Sequence, residues 1–151
     1  MHIHLIGMKR ALTPQLPCMC ANLRRASRAM TQRYEEALRP VGLRATQFTI
    51  LQALSLAGEV TQGKLGTILS MDSTTLTRTL TIMNRPGWIA KRRGEDRREW
   101  RMRLSKSGEI QFRRALPYWE EAQTELRRAL GDELSDNLMI LTQKITDALI
   151  D

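Results

Sequence analysis

The chain has 151 residues, of which 42% are hydrophobic and 26% are charged, a composition typical of one globular domain with its own core. Lys and Arg outnumber Asp and Glu by 24 to 16, and the resulting net charge of +8 favours a polyanionic partner such as DNA, RNA or an anionic membrane surface. No apolar run approaches the roughly 20 residues that span a bilayer, so we expect no membrane-embedded segment. The two cysteines form no disulfide framework, which predicts a reducing, cytoplasmic location.

The first predicted element is a long amphipathic helix. Apolar side chains recur every three or four residues from Leu16 to Leu38, and Arg39-Pro40 should end the helix. Residues 1–15 show no such pattern and are expected to form a disordered extension. Residues 16–151 are expected to form a single domain.

Three short helices should follow, and a hairpin should come after them. Thr46 and Thr61 are the predicted N-caps of the first two helices, and Asp72 or Ser73 is the predicted N-cap of the third. A short side chain at that position can accept a hydrogen bond from a free N–H of the first turn. Pro86-Gly87 should end the third helix, because proline cannot continue it and glycine suits its end.

The segment from Lys91 to Ser105, KRRGEDRREWRMRLS, is predicted to be a β-hairpin with seven basic residues in the thirteen positions from 91 to 103. Apolar residues at positions 100, 102 and 104 alternate with charged ones, the period of a strand with one face on a core. Gly94 places the densest charge, including Arg97 and Arg98, at the tip. A charged hairpin alone is more often a solvated turn. After three short helices it completes the layout of a winged helix-turn-helix, a mainly α fold with a small β-hairpin wing.

Two helices, from Ser105 and after Gly131, should complete the chain. The first and last helices carry heptad-like apolar stripes that a small domain cannot easily cover. We therefore expect a homodimer whose dimerisation helices span about residues 16–39 and 106–151, around a winged helix-turn-helix over about 46–105. The alternative is that the stripes close one intramolecular bundle.

The third short helix has an unusual polar face. Five threonines lie between positions 74 and 81, and β-branched side chains lose rotamer freedom in a helix. Thr74, Thr77 and Arg78 fall opposite the apolar side. Short hydroxyls and methyls permit close approach to a DNA major groove, and Arg78 can reach a guanine edge. An arginine at the wing tip would then meet the strong negative potential of a neighbouring minor groove, and we expect Asp96 to hold its planar guanidinium.

These residues resemble those of the MarR family of bacterial transcription regulators, named for multiple antibiotic resistance. The resemblance covers about residues 16–150. Its most specific part is the wing, where Asp96-Arg97-Arg98, Arg101 and Leu104-Ser105-Lys106-Ser107-Gly108 are similar to the family's Asp-x-Arg-x-x-Arg and Leu-Thr-x-x-Gly patterns. The run from Ser73 to Arg78 is similar to the start of the family's recognition helix. Pro86 departs from the family, which usually has a polar residue there.

The resemblance implies a dimeric regulator, usually a repressor, that leaves a pseudo-palindromic DNA operator when a small molecule binds or a cysteine is oxidised. It implies no cofactor, and it suggests a small aromatic effector in the crevice between the dimerisation helices and the winged domain. Arg98 becomes the minor-groove arginine and Asp96 its brace. The full DNA-binding set that it implies is Ser73, Thr74, Thr75, Thr77, Arg78, Asp96, Arg97, Arg98 and Arg101.

The cysteines leave a question open. Cys18 and Cys20 lie about 200° apart around the first helix, with Cys20 on the apolar stripe. Cys20 is by this pattern a small buried hydrophobe. The organic-peroxide-sensing branch of the family has a reactive cysteine near the start of this helix, and the resemblance places Cys20 there. Tyr34 then matches one of that cysteine's two tyrosine partners, and Ala45 replaces the second.

Other functions fit the sequence less well. An enzyme would need a nucleophile beside a base or a glycine-rich phosphate loop, and the sequence has neither pattern. A membrane-surface, RNA-binding or non-specific nucleic-acid-binding protein would share the charge but has no use for a threonine-faced helix. A zinc site from His2, His4 and the two cysteines would need an uncommon Cys-x-Cys ligand spacing, so we expect no metal.

Overall fold

The structure is a computed structural model that describes residues 14–150, so most of the predicted N-terminal extension lies outside the described residues. These residues divide into two compact units between Arg33 and Tyr34, and each unit is described by itself. The elements are α1 (Met19–Leu38), a 3₁₀ turn (Arg39–Val41), α2 (Ala45–Ala57), β1 (Val60–Thr61), α3 (Gln62–Leu69), α4 (Ser73–Asn84), β2 (Ile89–Arg93), β3 (Trp100–Leu104), α5 (Lys106–Leu130) and α6 (Asp132–Leu149). The predicted fold class, mainly helical with a small β-hairpin, is confirmed.

The first unit contains the start of α1, which begins three residues later than the apolar pattern predicted. The side chain of Asn22 folds back over the residues before the helix. Its Oδ1 accepts from the backbone N–H of Leu16 at 3.1 Å, and its Nδ2 donates to the Cys18 carbonyl at 2.9 Å. Cys18 Sγ accepts from the backbone N–H of Ala21 at 3.4 Å, so the thiol acts as a weak cap.

In the second unit, two predicted helix caps are confirmed, at Thr61 and Asp72, and a further cap forms at Ser105, where a helix was expected to start. The Thr61 hydroxyl accepts from the N–H of Lys64 at 3.1 Å, and Asp72 Oδ1 accepts from the N–H of Thr75 at 2.9 Å. The Ser105 hydroxyl accepts from a backbone N–H of the first turn of α5 at 3.1 Å. Each cap satisfies an N–H that has no partner inside its helix.

The prediction that Thr46 caps α2 is wrong. The helix begins at Ala45, two residues earlier than a Thr46 cap would place it, and Arg44 precedes it in an extended conformation. The Glu35 carboxylate accepts from the backbone N–H of Ala45 at 3.1 Å and lies 3.1 Å from Arg44 Nε. Gln47 Oε1 accepts from the N–H of Arg44 at 3.0 Å. An acid from α1 therefore supplies the cap that the local sequence pattern assigned to a threonine.

The hairpin is part of a three-stranded antiparallel sheet with the strand order β1-β3-β2. Met102 pairs with Val60 of β1 on one side and with Lys91 of β2 on the other. The two-residue strand β1 was not predicted, because it is too short for an alternating pattern. It follows the end of α2 and pairs with the middle of β3.

One hydrophobic core holds the helices and the sheet of the second unit together. Phe48 of α2 packs its ring 5.6 Å from that of Phe112 and 5.8 Å from that of Trp119, both on α5. The largest fully buried side chains are Leu38, Ile50, Leu51, Leu54, Leu65, Leu76, Leu80, Met83 and Met102. The buried members from α4 are the apolar residues that the sequence placed opposite its polar face. Within residues 14–150, no helix has both the length and the apolar character needed to cross a bilayer.

The base of the wing packs against the first turn of α5 at Gly108. The Trp88 carbonyl, just before β2, accepts from the backbone N–H of Ser105 at 3.0 Å. A Cβ on Gly108 would lie 2.1 Å from that carbonyl oxygen, far inside van der Waals contact. Only glycine permits this approach of α5 to the wing.

We therefore predict that Gly108→Ala destabilises the protein by roughly 3 kcal/mol, because backbone atoms on both sides must move. Gly63→Ala is the matched control. Gly63 lies inside α3 with no atom within 4 Å of the place that a methyl group would take, so alanine there should be neutral or stabilising by up to about 1 kcal/mol. Urea denaturation at equal protein concentration measures both free energies of unfolding. Equal stabilities for the two variants would contradict the close packing at Gly108.

Candidate nucleic-acid interface

Helix α4 presents a buried apolar face and an exposed polar face. Thr74, Thr77 and Arg78 are exposed, while Leu76 and Leu80 are 1% exposed. Asp72 fixes the start of the helix, and the Thr75 N–H bonded to its carboxylate is the main cause that lowers the pKa of Asp72. The structure thus brings together the α4 residues that the sequence nominated. The remaining nominated residues of its first turn, Ser73 and Thr75, are exposed as well.

Most of the α4 threonine hydroxyls already have partners within the protein. Thr75 donates to Asp72 Oδ2 at 2.7 Å, while Thr79 and Thr81 donate to backbone carbonyls one turn earlier at 3.0 and 2.8 Å. The Thr77 hydroxyl accepts from Gln62 Nε2 at 2.8 Å. Gln62 was missed by the sequence analysis, since only the folded arrangement of α3 and α4 places it beside Thr77.

The wing tip, residues 94–99, is a tight turn with Arg97 and Arg98 exposed at its end. The Gly94 N–H donates to the Glu99 carbonyl at 2.9 Å and closes the turn. Asp96 Oδ1 accepts from the backbone N–H of Arg98 at 3.0 Å. The expectation that Asp96 holds an arginine guanidinium is therefore corrected. Its carboxylate orders the backbone of the turn, a common role of aspartate at such positions.

Arg93 and Trp100 pair across the two wing strands. The Arg93 guanidinium carbon lies 4.0 Å above the Trp100 ring, and Arg93 NH1 donates to the Arg97 carbonyl at 2.6 Å. Trp100 was expected on the core face, but it is 38% exposed and its ring contacts the Arg93 guanidinium instead. The other two apolar residues of the alternating pattern, Met102 and Leu104, are buried as predicted.

Arg101 faces into the protein rather than out from the wing. Its NH2 donates to the Glu59 carbonyl at 3.5 Å, and its Nε lies 3.8 Å from Glu59 Oε1. Arg92 of β2 binds the same carboxylate, with NH2 donating to Oε2 at 3.2 Å. The hydrogen bond from Arg92 is the largest cause that lowers the pKa of Glu59. Partial burial of the carboxylate raises this pKa, and the charges of nearby arginines lower it further. Glu59 belongs to no sequence motif, and the sequence analysis missed it.

The two cysteines are both free and exposed in this chain. The interpretation of Cys20 as a buried hydrophobe is therefore wrong for the single chain. Tyr34 belongs to the second unit, where its hydroxyl donates to Gln123 Oε1 and burial raises its pKa. Of the proposed zinc ligands, both histidines lie outside the described residues.

Comparison with known proteins supports a family assignment. A model of the MarR family matches residues 43–100, from just before α2 to the first residue of β3. The uncharacterized HTH-type transcriptional regulator YwoH of Bacillus subtilis (strain 168) is 29% identical over 109 residues, which cover 70% of this chain and 80% of that protein.

Solved structures give the same result over most of the chain. The M. tuberculosis transcriptional regulator MosR, in complex with DNA, is 33% identical, with a TM-score of 0.75 over 88% of this chain and 99% of that one. A mutant of E. coli MarR complexed with operator DNA shares the fold at 22% identity, with a TM-score of 0.77 over 84% of this chain and 92% of that one. The chain belongs to the MarR family of winged-helix transcriptional regulators.

Proposed function

We propose that this regulator is a homodimeric repressor that binds a pseudo-palindromic DNA operator and is released by a chemical signal. The observation that carries the proposal is the exposed threonine and arginine face of α4 beside a wing that ends in Arg97 and Arg98. The DNA in the MosR complex, a relative at 33% identity over nearly its whole length, supports duplex DNA as the partner.

In this proposal helix α4 and the wing have different roles in DNA binding. Helix α4 enters the major groove, where Thr74, Thr77 and Arg78 meet base edges while Ser73 and Thr75 lie nearer the phosphates. Arg98, with Arg97 beside it, enters the adjacent minor groove and senses its width and potential. Asp96 shapes the turn that carries both arginines. Arg101, which points inward, supports the wing instead of contacting DNA.

Exposed apolar side chains favour a dimer. On α6, Leu134, Leu141 and Leu149 are 59%, 57% and 78% exposed, which is unusual for leucines at helical spacing. On α1, considered by itself, Met19 is 90% exposed. Burial of such stripes between two copies of the chain would remove them from water. Two α4 helices in a twofold dimer would meet successive major grooves, with half-sites about 10 base pairs apart.

A small effector has a candidate site in the second unit. A crevice of about 480 Å³ lies where the end of α2, strand β3 and the start of α5 meet. Leu54 and Phe112 give it an apolar wall, Arg103 and Arg113 supply cations, and the acids Glu59 and Glu109 line it as well, with Glu109 3.8 Å from Arg113. This combination suits a small aromatic acid, whose ring needs an apolar contact and whose carboxylate needs a guanidinium.

The second candidate signal is an organic peroxide acting on Cys20. Exposure of the thiol favours this function, because a sensor cysteine must be reachable and partly ionised. Ala45 stands where the peroxide-sensing branch of the family has the second tyrosine partner.

Dimerisation is tested first. Leu141→Glu should shift the protein towards monomer at micromolar concentration, because two carboxylates would be buried in the proposed interface. Leu56→Glu is the matched control, since Leu56 is 84% exposed on α2 and lies outside the proposed interface. Sedimentation velocity measures both. A parent chain that sediments as a stable monomer, or a selected DNA site without a dyad, would refute the dimer.

The wing and the helix should respond differently to loss of an arginine. Arg98→Ala should weaken operator binding while leaving the preference for α4-contacted base pairs intact, because Arg98 reads groove shape. Arg78→Ala should relax the preference at particular base pairs and cost about 1–3 kcal/mol at the cognate site. Titrations against operator and single-base variants across a salt series measure both effects.

Arg128→Ala, an exposed arginine in the last turn of α5, is the control for loss of one positive charge. It should change the affinity far less than either interface variant. If the parent binds scrambled duplexes as tightly as the operator at every salt concentration, the regulator proposal fails. If Arg98→Ala matches the parent, the wing assignment fails.

Peroxide sensing is tested with cumene hydroperoxide. If Cys20 is the sensor, the oxidant should release the parent and the Cys18→Ser variant from operator DNA, and Cys20→Ser should stay bound. The physical reason is that only an ionised, reachable thiol attacks the peroxide. An electrophoretic mobility-shift titration measures release. DNA binding of the parent that is unaffected by the oxidant would exclude this signal and leave the α2–α5 crevice as the site to search.

A further inference from the structure

Two arginines face each other directly across the wing. In the register of β2 and β3, Arg92 pairs with Arg101. Like charges in directly opposed positions destabilise a strand pair, and the wing already has a high positive charge. A hairpin with this pair needs a negative group nearby if both strands are to stay paired.

Glu59 supplies that group from outside the hairpin. It lies between α2 and β1, directly after Gly58, whose N–H donates to the Leu54 carbonyl at 2.9 Å and ends the helix. Its backbone is therefore fixed by a helix end on one side and by the sheet on the other. The side chain is 27% exposed, and its carboxylate is within ion-pair distance of both Arg92 and Arg101.

We propose that Glu59 is a wing-positioning residue that sets how the regulator reads DNA, acting through Arg92 and Arg101. The inference rests on the proposed function, because it assigns Glu59 a role in the wing of that same interface. The carboxylate hydrogen-bonds Arg92 of β2 and lies 3.8 Å from the Arg101 Nε of β3, and so holds the hairpin to the α2–β1 junction. This holds the turn at residues 94–99, with Arg98 at its end, at a defined place relative to α4.

Loss of Glu59 should weaken DNA binding, although the change in net charge alone would strengthen it. Removal of an acid from a DNA-binding face raises the positive charge, which by itself strengthens binding to the phosphate backbone. Loss of Glu59 instead leaves two opposed guanidinium groups without their shared partner. The strands then separate or Arg101 turns outward, and the tip no longer enters the minor groove in one position.

The experiment compares Glu59→Gln with Glu95→Gln on the full chain. Both variants remove one carboxylate, but Glu95 lies in the wing turn, outside the paired residues of β2 and β3. Glu59→Gln should bind the operator roughly tenfold more weakly than the parent, the size expected when an oriented charge pair is broken. Glu95→Gln should bind as tightly as the parent or more tightly. Glu59→Asp, which keeps the charge on a shorter side chain, should recover part of the affinity.

A second readout separates positioning from general loss of structure. Operators that differ only in A·T or G·C pairs beneath the wing report groove reading, because A·T tracts narrow the minor groove. Glu59→Gln should lose most of the parent's discrimination between them while keeping its discrimination at the α4-contacted base pairs. A variant that merely unfolds would lose both preferences together, and that result would overturn the proposal.

The role of the arginines is tested by a double-mutant cycle. Glu59→Gln and Arg101→Gln should be non-additive, so that the double variant loses less affinity than the product of the two single losses. Additive losses, or a Glu59→Gln variant that binds as tightly as Glu95→Gln, would overturn the proposal. A parent without sequence-selective DNA binding would instead refute the proposed function, so the two failures are distinguishable.

Discussion

The arrangement of the second unit depends on one close backbone contact, between the Trp88 carbonyl and Gly108. The start of β2, the end of β3 and the first turn of α5 meet there, with no room for a side chain at position 108. The Gly87 carbonyl next to it accepts from both the Ser105 and Ser107 hydroxyls. The N-cap of α5 and the base of the wing are thus held together by the same contacts. Because a backbone contact cannot yield as a flexible side chain can, movement of the start of α5 must be transmitted to the wing.

The wing then has to accommodate its own charge. Seven basic residues in thirteen positions repel one another, and two separate contacts hold three of them in place. Glu59 places one negative charge beside the opposed pair Arg92 and Arg101, and Trp100 accepts the Arg93 guanidinium at the next strand pair towards the tip. These three arginines have partners within the wing or at Glu59, whereas Arg97 and Arg98 are exposed at the turn. The charge run in the sequence therefore combines two functions that periodicity alone cannot separate.

Features that depend on the spacing of nearby residues could be predicted from the sequence. Helical periodicity and the caps at Thr61 and Asp72 rest on residues within one turn of each other, and the structure confirms them. The alternating strand holds at Met102 and Leu104 but not at Trp100. The errors share a different cause. Glu35, an acid on another helix, caps α2 in place of Thr46. Glu59 reaches partners 33 and 42 residues away, a pairing that no local pattern signals. The site was predictable as a set of exposed residues, but not the contacts that position them.

The threonines of α4 show how such contacts change the chemistry of a face. The hydroxyls of Thr75, Thr79 and Thr81 already donate within the protein, while that of Thr77 accepts from Gln62. A hydroxyl whose donor is satisfied can approach an apolar surface without leaving a polar group unpaired. In the proposed complex Thr75, Thr79 and Thr81 would therefore offer mainly their methyl groups, while the Arg78 guanidinium and the Thr77 hydroxyl, which accepts from Gln62, can still donate. Methyl groups match the C5-methyl of thymine, and the arginine fork matches guanine, so this face suits direct reading of bases better than attachment to the backbone.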